Sequence, residues 1–148
     1  MTNPFQTQTT PSTSSDVPLV GSPARSEEKT YQLAVCIAEA ADDRKGSDIV
    51  LLRVADVSYL ADYFVVITGF SNVQVRAIAR SIEEKVESEL QQHPLRIEGQ
   101  MDGSWVLMDY GDVIAHIFLP KEREFYKLES FWGHAEQIRL PLSSASRD

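Results

Sequence analysis

The sequence predicts an α/β domain built on a mixed β-sheet of about five strands, with helices mainly on one face. Three observations carry this. Segments of helical and of strand period alternate along the chain, in the order helix, two strands, helix, short strand, then a hairpin. Tyr63 to Thr68 is a nearly unbroken apolar run rich in β-branched and aromatic residues, as expected of a central strand covered on both sides. Trp105 to Pro120 reads as a hairpin whose two faces differ in chemistry.

Residues 1–26 are rich in Thr, Ser, Pro and Gln, with Asp16 and Arg25 as their only charges, and are expected to form a disordered tail. A transit peptide is the alternative reading of such a start, but those are richer in Arg. The domain is expected to span residues 27–140, with 141–148 a flexible tail. Ser26 is a plausible N-cap, Glu27 and Glu28 suit the positive end of a helix, and Leu33, Ala34, Ile37, Ala38 and Ala41 follow at helical spacing. Arg44, Lys45 and Gly46 supply the basic last turn and the glycine stop. Cys36 falls inside this helix between Val35 and Ile37 and reads as a small buried side chain.

Asp48 to Val54 and Tyr63 to Thr68 are the next two strands. Ser71-Asn72-Val73-Gln74 matches a capping box, and Phe70 stands at staple spacing from Val75, so a second helix starts at Ser71. Val75, Ile78, Ala79, Ile82, Val86 and Leu90 form its apolar stripe, and Pro94 is expected to close it. A short strand near Leu95 to Glu98 precedes the hairpin. After it, Pro120 opens a helix over Glu122 to Trp132 that ends at Gly133, with Phe125, Leu128 and Phe131 or Trp132 on the side docking at the sheet edge.

In the hairpin, Gly111-Asp112 suits a two-residue turn whose first central position needs positive φ. That turn pairs Tyr110 with Val113, Met108 with Ala115 and Val106 with Ile117 on one apolar face. By parity the opposite face pairs Trp105 with Phe118, Leu107 with His116 and Asp109 with Ile114. Two aromatics, a carboxylate and an imidazole make a poor second core. The alternatives are a partner-binding patch, which the residue types favour, a face covered by the chain's own loops, and a catalytic site.

The 148 residues carry a formal net charge of −8, which argues against a reader of nucleic-acid backbones and favours a basic protein partner. No apolar run approaches the ~18 to 20 residues of a membrane span, and no secretory leader is evident, so a soluble protein retained in the cell is expected. There is no phosphate-cradling Gly-x-x-x-x-Gly-Lys-Ser/Thr run and no Gly-x-Ser-x-Gly elbow. One cysteine and widely spaced His93, His116 and His134 make a poor zinc set, and no cofactor is expected. Asp109 and His116, diagonal neighbours about 7 to 8 Å apart at the backbone, could form a dyad, but no nucleophile stands beside them.

Asp56-Val57-Ser58, Asp62-Tyr63-Phe64-Val65, Gln74 to Ala79, Glu98-Gly99, Trp105 to Ile114, His116 and Phe125 to Glu129, in that order, resemble the ribosomal silencing factor family, also called Iojap-like. The resemblance spans about Glu27 to Leu140. It implies a mixed-sheet domain with nucleotidyltransferase-like topology and no catalytic activity, acting in the cytoplasm, or in an organelle if the tail is a transit peptide. It further implies binding to the large ribosomal subunit through ribosomal protein L-fourteen, a block to small-subunit joining that lowers translation when nutrients are short, and a homodimer when free. Trp105 is the contact the resemblance carries over; Leu107, Asp109, His116 and Phe118 join it by parity. The competing readings are a nucleotidyltransferase-type enzyme, which needs a Gly-Ser or Gly-Gly turn and an Asp-x-Asp pair that this chain lacks, and a plain homodimeric adaptor.

Overall fold

The computed structural model describes residues 23–56, 59–131 and 133–142. The expected tails lie almost wholly outside these. The first helix, α1 (Pro23–Asp43), is already running at Ser26, so Ser26 is not its cap. Proline is well suited to a first helical turn, where no N–H is required. Leu33, Ala34, Ile37, Ala38 and Ala41 are buried, as their spacing predicts.

Six strands form one sheet in the order β3-β4-β5-β2-β1-β6. β1 (Ser47–Arg53) and β2 (Tyr63–Thr68) pair antiparallel, and every residue of β2 is buried because it lies inside the sheet. β2 runs parallel to β5 (Val113–Phe118), with Tyr63 opposite Val113 and Thr68 opposite Phe118. β4 (Trp105–Asp109) joins β5 in the hairpin, and β3 (Arg96–Glu98) pairs antiparallel on its outer edge. The sixth strand, β6 (Glu136–Ile138), was not expected from the sequence. Its three residues carry no alternation to read, and it exists because the free edge of β1 accepts it, Leu51 facing Ile138.

The second helix, α2 (Asn72–Leu90), starts where its signals place it. The Gln74 N–H donates to Ser71 Oγ at 3.0 Å. The Gln74 side chain reaches back to accept from the Phe70 N–H at 2.7 Å, one residue before the cap. Phe70 itself is 64% exposed, so no staple forms with Val75. The helix ends before Pro94 comes into play, because Gln91 turns left-handed (φ 54°) and caps it through its N–H to the Glu87 carbonyl.

α1 and α2 cover one face of the sheet. There Ile37, Ile78, Ala79 and Ile82 pack on Leu51, Val65, Ile67, Val106, Met108, Ala115 and Ile117 in the main core. Cys36 is buried among them, and burial, with Glu89 beside it, pushes its thiol up to about 11, which leaves it protonated and unreactive at neutral pH. The second face carries a smaller cluster of Leu52, Val54, Ala61, Phe64, Val66 and Phe118. The final helical segment is two pieces, α3 (Pro120–Tyr126) and α4 (Leu128–Phe131), and not one helix from Glu122 to Trp132. Lys127 sits between them at φ 47°, its N–H returning to the Arg123 carbonyl. That break changes the phase: Phe125, expected on the packed side, is 78% exposed, and Trp132 lies outside the described residues.

Candidate docking site on the second face of the hairpin

The hairpin adopts the register that its turn predicts. Trp105 faces Phe118, Leu107 faces His116, Asp109 faces Ile114, and Val106 and Met108 face Ile117 and Ala115. Gly111 makes this possible at φ 94°, a region open to glycine at little cost, and the Tyr110 N–H closes the turn on the Val113 carbonyl at 2.9 Å. Burial then alternates along β4, with Val106 and Met108 sealed under the helices and Trp105, Leu107 and Asp109 half-buried on the other side.

Trp105 is held by three groups from two elements, β5 and α3, with Phe64 of β2 behind one of them. Its ring stacks on Phe118 with centroids 4.8 Å apart and 28° between planes, and Tyr126 of α3 lies 4.6 Å away at 45°. Its indole Nε1–H donates to His116 Nδ1 at 3.2 Å. Phe64 of β2 meets the imidazole edge-on at 5.1 Å. An aromatic fixed on two sides and anchored by its N–H loses little freedom when a partner covers its remaining surface.

The same packing corrects part of the sequence reading. Phe118 is fully buried and His116 only 5% exposed, so these two lie beneath the surface and support Trp105 instead of offering contacts themselves. Trp105, Leu107 and Asp109 are the members of the predicted set left partly open. The Asp109–His116 dyad does not form. Asp109 Oδ1 accepts from the Gly111 N–H at 2.8 Å and its other oxygen pairs with Arg96 Nε at 3.4 Å, while His116 spends Nδ1 on Trp105. Since Nδ1 accepts, the imidazole proton is on Nε2, a buried atom with no partner among the described residues. Burial pulls the His116 pKa down to about 4, so the ring is neutral at physiological pH.

Tyr126 was missed by sequence reasoning. The stripe through Phe125 and Leu128 points to the other side of the helix, and nothing in the sequence marks Lys127 as the residue that turns left-handed. Among the described residues, no group of three or more His, Cys, Asp or Glu is placed to hold a metal ion, and no helix is long and apolar enough to cross a membrane.

A six-stranded mixed sheet with two helices on one face and a buttressed tryptophan on the other defines a small α/β domain. The chain belongs to the ribosomal silencing factor family: the family model described as "Ribosomal silencing factor during starvation" matches residues 27–148. It is 40% identical over 115 residues to the ribosomal silencing factor of Halalkalibacterium halodurans, a match covering 78% of this chain and 95% of that one. It is 39% identical over 124 residues to the chloroplastic Iojap protein of Zea mays, covering 82% of this chain but spanning only about half, 52%, of the maize protein. A crystal structure of a protein from Chromobacterium violaceum superposes with a TM-score of 0.65 at 35% identity, covering 80% of this chain and 94% of that one.

Proposed function

We propose that this chain represses translation by docking, through the Trp105 face, on ribosomal protein L-fourteen of the large subunit, where its bulk excludes the small subunit. The observation that carries the reading is the preorganised tryptophan, half-buried and fixed by Phe118, Tyr126 and the His116 hydrogen bond. Tryptophans so placed dominate many interface energies. Leu107 and Asp109 flank it on the same face, and the net charge of −8 favours encounter with a basic ribosomal protein. Steric exclusion asks for no catalytic group, so the chain acts without enzymatic activity, and a homodimer is the free form. It works in the cytoplasm, with an organelle as the alternative setting given the chloroplastic relative.

Trp105→Ala removes the anchor while Val106, Met108 and the helix-side core stay in place. The expected result is a folded variant whose binding to purified large subunits is about 30-fold weaker, the ~2 kcal/mol scale of a hot spot. Co-sedimentation measures this, and equal pelleting of variant and wild type would exclude the Trp105 face as the docking surface.

A further inference from the structure

The rings around Trp105 do not stop at the hairpin. Tyr126 touches Trp105 at 4.6 Å on one side, and on the other it meets Phe125 edge-on, with centroids 5.0 Å apart and 87° between planes. Rings in contact therefore run outward from the fold: Phe118 fully buried, Trp105 half-buried, Tyr126 47% exposed and Phe125 78% exposed. A single exposed phenylalanine is ordinary on a folded domain, whereas one continuous with a row of other rings marks a contact surface.

The row is firmly mounted. Arg123 fastens α3 to the sheet, its guanidinium donating to the Asp48 carbonyl at 2.6 Å and to the Thr68 hydroxyl at 2.7 Å. The helix then closes at left-handed Lys127, with Tyr126 lying against Trp105. Phe125, one residue earlier and about 100° round the helix, is left facing solvent.

The area a partner needs leads in the same direction. A stable partner covers ~800 Å² on each side, and half-buried Trp105, Leu107 and Asp109 do not supply that alone. Towards β3 the face is charged, Arg96 pairing at 3.4 Å with both Glu98 and Asp109. Towards α3 it is apolar, and Phe125 with Tyr126 adds on the order of 200 Å² of open aromatic side chain. Protein interfaces join an apolar centre to a polar rim. Here the centre lies between β4 and α3, and the rim at β3 holds two acids around one arginine.

We propose that Phe125 is a second anchor of the docking surface, entering with Trp105 an apolar hollow on the ribosomal partner, whose basic side chains lie over Glu98 and Asp109. This rests on the Trp105 docking reading and adds the chemistry of the surface opposite: a protein hollow wide enough for two rings, with cations along one side.

Binding kinetics of the full chain on purified large subunits, for wild type, Phe125→Ser, Trp105→Ala and Leu95→Ser, test this. Leu95, 74% exposed and beside Gly111 of the hairpin turn, controls for the loss of any open apolar side chain. Phe125→Ser should melt like wild type, because the ring it removes is mostly in solvent. Its affinity is expected to fall about tenfold, chiefly through faster dissociation, while Leu95→Ser binds as wild type does. A photoreactive residue at position 125 should crosslink to the same ribosomal protein as one at position 107. Weak binding by Trp105→Ala together with undiminished binding by Phe125→Ser overturns the second anchor alone. Undiminished binding by Trp105→Ala overturns the docking reading and this inference with it. Equal weakening by Leu95→Ser, or a position-125 adduct to RNA only, also overturns the proposal.

Discussion

Acid should destabilise this domain through His116 in particular. In the folded chain its pKa is about 4, because burial opposes the charged ring, against an ordinary value near 6.5 when unfolded. Between those values the unfolded chain binds the proton and the folded chain does not, so stability falls as pH drops below 6.5 and the loss is complete below about 4. At ~1.4 kcal/mol per pKa unit the whole window is worth about 3 kcal/mol, and the step from pH 7 to 4.5 about 2 kcal/mol. Little solvent screening reduces this, since the ring is only 5% exposed. His116→Gln keeps an acceptor for the Trp105 indole and removes the titration. Urea unfolding followed by far-ultraviolet circular dichroism, on both proteins at pH 7 and 4.5, isolates the term, because carboxylate effects are common to the two. The wild type should lose about 2 kcal/mol more than the variant on acidification. Equal losses would show that His116 already exchanges its proton freely in the fold and that the Trp105 anchor is not the buried arrangement described here.

Three further outcomes follow from the packing. Ile117→Asp places an unpaired carboxylate in the helix-side core and should abolish cooperative unfolding, while a thermal transition like that of wild type would mean that the two hairpin faces are reversed. Ser71→Ala removes the acceptor for the Gln74 N–H and should cost about 1 kcal/mol in urea unfolding, with no effect on the hairpin. Tyr110→Phe deletes a buried hydroxyl with no hydrogen-bond partner among the described residues; stability should be unchanged or rise by up to about 1 kcal/mol, and a clear loss would reveal a partner for that hydroxyl.

Elements with two independent local signals were legible from the residues. The start of α2 is marked by Ser71 and Gln74 together, and the hairpin register by the Gly111-Asp112 turn and strict alternation on both sides. The parts that escaped depend on non-local partners or on backbone states without a residue signature. β6 exists because β1 has an open edge, and α3 breaks at a lysine adopting a conformation more usual for glycine or asparagine. The site was half legible for the same reason. Parity places Trp105, Leu107, Asp109, His116 and Phe118 on one face, but only three-dimensional packing shows that Tyr126 arrives to cover part of it and that His116 and Phe118 sink below.

The parallel pairing of β2 with β5 also sets when the tryptophan face is fully backed. Tyr63 and Val113, opposite each other in the sheet, are 50 residues apart in sequence, whereas the hairpin closes over a two-residue turn. Local hairpin closure is fast, while joining distant strands is the slow part of such a topology. His116 and Phe118 come from β5 and Tyr126 from α3, whereas Phe64, which meets the imidazole edge-on, comes from β2, so the seat of Trp105 gains its rear support only at that late step. A chain still emerging during synthesis, with β5 or α3 not yet made, has no such seat. The support of Trp105 is therefore complete only when the domain is, and under the proposed docking a partly folded copy presents a less firmly held anchor.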